Sequence, residues 1–191
     1  MAGWTRVKWS EARQVIENLG PRWTRGEAEG AQAPQVYFEA LREAGRRADA
    51  ARFLSQALPR LEAVAWAART VRDLTPQDAD RSSPEARALR AALLWVSDPT
   101  EPRRRAAYEA ARQAKTTTPE YLCALAVFFS GGSIAPETSA PVAAHREAAG
   151  RFAAVAVISA ATRSPDSKAA FDRALDAGAV IAREGLEPAS A

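Results

Sequence analysis

Any thiol or imidazole chemistry in this chain must run through single residues, because it contains one cysteine, Cys123, and one histidine, His145. Thiol catalysis needs a thiolate with a base in hydrogen-bond reach. Cys123 lies between Leu122 and Ala124 in the apolar stretch TPEYLCALAVFF. Burial there pushes a thiol pKa upward, the wrong direction for a nucleophile. His145 stands in APVAAHREAAGRFAA, with Glu147 and Asp166 as conceivable acid partners at spacings that are not diagnostic. A lone histidine with no second histidine or close cysteine does not make a metal site. Both residues are therefore expected to pack or to face solvent. No catalytic residue, cofactor or metal is assigned.

FFSGGSIAPE, from Phe128 to Glu137, follows the cysteine and could be an oxyanion cradle or a phosphate loop. A phosphate loop places its glycines before a helix, with a lysine and a hydroxyl behind them. Here Gly131 and Gly132 come after an apolar helical run, no lysine follows, and Pro136 interrupts the chain. The simpler expectation is a helix end in which one glycine takes a positive φ and Ile134 folds back toward Phe128 or Phe129. Two carboxylate groups, Asp73/Asp78/Asp80 and Asp172/Asp176, are read as solvated surface, since neither comes with an acid–base partner or an apolar pocket motif.

Arg103, Arg104 and Arg105, followed by Arg112 and Lys115, form the most basic cluster. A phosphate backbone could bind such a face. Glu101 and Glu109 dilute it, however, and no zinc finger, sheet-based reader or GXXG loop accompanies it. Nucleic acid is thus disfavoured, and Arg104 and Arg105 are kept as peripheral charge beside a protein contact. Trp4, Trp9 and Trp23 carry the sharper signal. Three indoles in a polar amino-terminal segment must either pack back onto the core or dock on a partner, where tryptophan is a favoured anchor. They are the leading candidate protein-binding residues.

The elements that must position these side chains announce themselves at their starts. SPEARALRAALLWV puts Ser83 at a cap and Pro84 in the first turn, and TPEYLCALAVFF does so with Thr118 and Pro119. SPDSKAAFDRAL repeats this with Ser164 and Pro165, and DPTEPRRRAAYEAARQA with Asp98 and Pro99. At each site an oxygen accepts an orphan amide hydrogen, and proline sits where its missing N–H does no harm. Apolar spacing agrees. Leu61, Val64, Ala68 and Val71 share one face, as do Phe171, Leu175, Gly178 and Ala182. The pattern predicts helices at 9–19, 34–45, 47–57, 59–73, 84–97, 99–114, 118–129, 141–162 and 165–184.

The expected architecture is all-α: packed helical hairpins forming a compact or short solenoid-like bundle. Residues 1–33 are read as an amino-terminal helix and irregular aromatic segment that could serve as a docking arm. Residues 34–185 form the main domain and 186–191 a tail. PRLEAVAWAARTV at Pro59 and PRRRAAYEAARQA at Pro102 echo each other, but alanine-rich helices generate such matches easily.

Composition fits this picture. The 191 residues are 47% apolar and 26% charged, an ordinary balance for one core, and alanine supplies much of the apolar share. The net charge is +3 without a detached basic tail. One cysteine and a polar opening, MAGWTRVKWSEARQ, lead to the expectation of a reducing, cytoplasmic setting. The longest nearly uncharged apolar run, Phe152 to Thr162, is too short for a bilayer, which needs roughly 20 residues.

LPRLEAVAWAARTV, WVSDPTEPRRRAAYEAA and TPEYLCALAVFFSGGSIAPE, with the alanine-rich helix that follows, resemble an uncharacterised bacterial helical family. The resemblance covers residues 55–162. Members of that family occur in some type VI secretion gene neighbourhoods. It implies an accessory protein of secretion or envelope machinery, peripheral to an envelope complex, and brings no catalytic residues. The function expected is a non-catalytic protein-interaction or scaffold domain whose partner is another protein or itself. The alternatives are a small enzyme with a noncanonical site and a weak nucleic-acid binder.

Overall fold

The computed structural model describes residues 3–20, 23 and 30–186, and among these the fold is all-α with no sheet. The remainder of the irregular aromatic segment, 21–22 and 24–29, and the tail residues 187–191 lie outside the described residues. In chain order the helices are α1 (Ala12–Ile16), running into a 3₁₀ turn at Glu17–Leu19, α2 (Pro34–Glu43), α3 (Arg47–Ala57) and α4 (Arg60–Leu74). They continue with α5 (Pro84–Ser97), α6 (Glu101–Ala111), α7 (Pro119–Phe128), α8 (Ala148–Arg163) and α9 (Ser167–Glu184).

Three helices form the centre because they are apolar nearly all round, the mark of a helix enclosed by others. In α7 every residue from Leu122 to Phe128 is buried. α4 buries Glu62 through Ala68 without interruption, and α8 buries Ala149, Gly150, Ala153, Ala154, Ala156, Val157, Ala160 and Ala161. α8 packs against α3, α4, α7 and α9, so contacts join elements distant in sequence. A solenoid would restrict each unit to its neighbours; this bundle is compact. The sequence echo between Pro59 and Pro102 also dissolves, since α4 is central while α6 buries only Arg104, Ala107 and Ala111.

Small residues set how closely the helices approach. The Trp66 indole is 1% exposed and donates its N–H to the Ala174 carbonyl at 2.7 Å, crossing from α4 to α9. It reaches that carbonyl over Gly178, where a Cβ would overlap Leu54 Cδ2 and stand 2.8 Å from Trp66 Nε1. Gly150 plays the same part between α8 and α3: a Cβ there would lie 2.8 Å from the Ser55 carbonyl oxygen. Along the rim of α9, Asp172 receives Arg47 at 2.7 Å and Asp176 receives Arg42 at 2.6 Å. The two aspartates read as solvated surface therefore tie α9 to the α2–α3 hairpin. Such partly exposed pairs contribute about 0–1 kcal/mol each.

Ser83 and Thr118 cap α5 and α7 as expected, accepting from Ala86 N at 3.1 Å and Tyr121 N at 3.3 Å. Other expected starts move. The first helix, expected from 9, begins at Ala12. α6 begins after Thr100, because Asp98 closes α5 through bonds to Leu94 and Trp95 and turns its carboxylate to Arg103. α9 is capped by Asp166, whose side chain accepts from Ala169 N at 2.9 Å. The largest displacement is in α8, which begins at Ala148 rather than 141. Residues 141–147 are not helical because Val142 is already engaged: its N–H goes to Ser133 Oγ and its carbonyl receives Ile134 N. An isolated antiparallel bridge, Ser133 to Ala143, completes that pairing.

The Gly131–Gly132 turn is held from below by Arg104, which is 3% exposed. Its guanidinium grips Glu101 through Nε at 2.6 Å and Nη2 at 2.7 Å, and donates to the carbonyls of Phe128 and Ser133. It also lies 4.9 Å from the centre of the Phe128 ring. Arg105 joins Glu101 at 3.0 Å and the Ala135 carbonyl at 2.9 Å. Gly132 has φ +61°, and a Cβ there would stand 2.9 Å from Arg104 Nη2. The glycine is required twice, for its backbone and for the guanidinium beneath it. The helix C-terminus supplies carbonyls and the arginine satisfies them.

Two outcomes follow from this packing. Gly178→Ala should lower unfolding stability by about 1–3 kcal/mol through overpacking, measured by chemical denaturation. Gly131→Ala, whose Cβ would meet nothing within 4 Å, should leave it nearly unchanged. Equal effects would contradict the close approach. The second concerns pH. Hydrogen bonds from Arg104, opposed by burial and assisted by Arg105, hold the Glu101 carboxyl at about 2, below its ordinary 4.5. Because the folded value is the lower one, the Glu101 contribution is present above pH 4.5 and is lost as pH falls toward 2. The stability advantage of wild type over Glu101→Gln should therefore shrink across that interval. An advantage constant through it would show that the carboxylate charge is not what Arg104 and Arg105 hold.

Candidate functional site

All three amino-terminal tryptophans settle on one helical hairpin, α2–α3. Trp4 packs against Phe38 with ring centres 5.1 Å apart. Trp23 donates its indole N–H to the Tyr37 hydroxyl at 3.0 Å, with the Arg46 guanidinium 5.8 Å from its ring centre. Trp9 reaches the Gln56 carbonyl at 3.3 Å. Each indole is half-buried, so each joins the core and keeps an exposed part. The Trp4 indole N–H is buried without an acceptor.

The segment bearing Trp4 and Trp9 is tied down by its backbone. Arg6 N donates to the Ala182 carbonyl at 3.0 Å, and the Thr5 hydroxyl donates to the Arg183 carbonyl, both at the carbonyl-rich end of α9. The Arg6 guanidinium reaches the buried Glu62 at 3.3 Å. Beyond it, α1 buries Ala12, Val15 and Ile16, and Ala12 N donates to the Gln32 carbonyl at 2.8 Å. Residues 3–20 thus lie along the main helical body.

Where this segment crosses the α3–α4 junction it leaves a groove of about 650 Å³. Its lining comes from Lys8, Trp9 and Gln14, from the run Gln56 to Arg60, and from Arg146, Glu147 and Gly150 at the start of α8. This volume falls within the range of ligand-binding clefts, about 300–1,000 Å³. Glu147 is the buried charge of the groove. Burial opposes its ionisation, but a hydrogen bond from Arg146 and the charge of His145 outweigh that, holding the carboxyl below its usual range. Arg146 bonds Oε1 at 2.7 Å, and His145 Nδ1 is paired with the buried Oε2. Gln56 and Arg60 were not singled out from sequence, whereas Glu147 was named only as a conceivable partner of His145, with which the structure does pair it. Placing the start of α8 at 141 hid Glu147 inside a helix, although it flanks the true first turn.

Of the other sequence candidates, only His145 touches the groove's lining, through Glu147. Cys123 is fully buried in α7, and burial, with a smaller contribution from Glu120, pushes its thiol pKa strongly upward. His145 precedes α8, and its side chain is 73% exposed. Arg104 and Arg105 serve the Gly131–Gly132 turn; Arg104 is internal where a peripheral charge was expected. A second cavity, about 750 Å³, lies between the loop after α4, α5 and the start of α7. Its cations Arg72, Arg81, Arg90, Lys115 and Arg163 face the carboxylates Asp73, Asp80, Glu85 and Glu120, and none of these nine residues is buried. Among the described residues no three His, Cys, Asp or Glu side chains are placed to hold a metal ion. No described helix is long and apolar enough to cross a membrane.

Neither curated proteins nor solved structures match the chain. A family of unknown function, DUF6931, matches residues 37–182, a span that encloses the 55–162 resemblance and carries no link to secretion. With that match covering most of its length, the chain belongs to the family of unknown function DUF6931.

Proposed function

We propose that this protein is a non-catalytic protein-interaction domain, with Trp4, Trp9 and Trp23 as its anchors. The observation that supports this most is the partly exposed Trp9 indole on the wall of the groove. Such rigid, partly wet aromatic surfaces bind partners at low entropic penalty. The working surface is presented by the α2–α3 hairpin, which the Arg42–Asp176 and Arg47–Asp172 pairs fasten to α9. Arg104 and Arg105 hold the turn after α7 and are left out of the contact. The partner is a second protein or another copy of this chain. The cellular setting we propose is a bacterial secretion assembly, a reading that rests on the resemblance of residues 55–162 alone.

Full-length protein used as bait in native cell extract should retain a specific partner, or light scattering of the purified chain should show self-association. Trp9→Ala should reduce that retention about tenfold or more, the effect of losing a tryptophan hot spot. Circular dichroism checks that the variant stays helical. Unchanged retention with the fold intact, for Trp9→Ala and for Trp23→Ala alike, would refute the anchor assignment.

A further inference from the structure

The groove beside Trp9 is unequal in charge. Lys8, Arg60 and Arg146 line it, against the single carboxylate of Glu147. Arg146 is committed to Glu147 at 2.7 Å. That leaves Lys8 and Arg60 exposed at the groove; Arg60 makes one long bond, 3.3 Å, to the Ser130 carbonyl. Trp9, Ala57, Leu58 and Pro59 supply apolar lining beside these cations. Glu147 is met within the chain, since Arg146 bonds Oε1 and His145 Nδ1 is paired with the buried Oε2.

Resting on the interaction reading above, we propose that this groove binds an extended, acidic segment of a partner protein. Carboxylates of the segment meet Lys8 and Arg60, and an intervening apolar side chain covers Trp9 and Leu58. An extended chain supplies this combination because successive side chains point to opposite sides. A phosphate backbone meets the cations equally well but brings no apolar side chain for Trp9 and Leu58. A basic segment is repelled by Lys8 and Arg60. The cations and the apolar lining together select an acidic polypeptide.

The test uses the full chain, uniformly ¹⁵N-labelled, titrated with a short peptide alternating glutamate and leucine. The Trp9 indole N–H signal, assigned with Trp9→Phe, is the readout. That signal should shift saturably, and the affinity should fall as salt is raised. Lys8→Glu and Arg60→Glu should each weaken binding about tenfold, the consequence of placing like charges together across an interface. Lys8 makes no bond within the described residues, so Lys8→Glu keeps the test open if Arg60→Glu disturbs the turn at Ser130. A peptide alternating lysine and leucine should leave the Trp9 signal in place. The proposal is overturned if the lysine peptide binds as well, if both charge reversals leave the affinity unchanged, or if the acidic peptide does not move the signal at low salt. It is also overturned if an oligothymidylate of equal charge displaces the acidic peptide, which would assign the groove to nucleic acid. Tryptophan-dependent partner retention that survives any of these failures would sink the acidic-segment assignment and leave the interaction reading standing.

Discussion

Close approach of helix backbones is the constraint on which this fold depends. α4 and α8 meet through alanine, and α9 comes near enough for an α4 indole to hydrogen-bond its backbone only because residue 178 is glycine. At such separations dispersion contacts are dense, and the interior has little room to yield. An alanine-rich core carries few methylenes per residue, so it must gain stability by tight fit. The large side chains that it does contain, Trp66, Phe38 and Phe53, are fully enclosed, and they set the gaps that the small residues fill.

The buried polar groups follow from the same constraint. A helix that ends inside a tight bundle leaves carbonyls without water, and something must satisfy them. After α7 that task falls to Arg104, whose guanidinium serves Glu101 and two backbone carbonyls while lying against an aromatic ring. At the end of α9 the amino-terminal segment does it, through Thr5 and Arg6. The arrangement joins stability to surface. The backbone bonds that close α9 also fix the segment that brings Lys8 and Trp9 to the groove.

Much of the helical plan was legible because its signals are local. Ser83–Pro84 and Thr118–Pro119 announce helix starts with chemistry confined to a few neighbouring residues, and the structure uses both caps. The long helix was misplaced for the opposite reason. Its expected first turn at 141–147 is diverted by Ser133 and Ile134, partners about nine residues away that no periodicity reveals. Arg104 read as surface charge because a triple arginine run resembles a solvated face. Only the fold brings Ser133 and Phe128 over it. The groove was less visible still, since it joins residues near 8, 58 and 147, and nothing in those three stretches marks them as neighbours.

The central claim is a sealed, closely packed interior that leaves the outer surface as the working part, and the single cysteine reports on it directly. Cys123 is fully buried in α7, between residues that belong to the core. The decisive measurement is the rate at which an aromatic disulfide reagent modifies Cys123 as denaturant is added, set beside global unfolding followed by circular dichroism. The account predicts negligible modification in buffer and a rate that rises only with the unfolded fraction. Rapid modification of the folded protein without denaturant would contradict it, because the thiol would then stand in an accessible cleft.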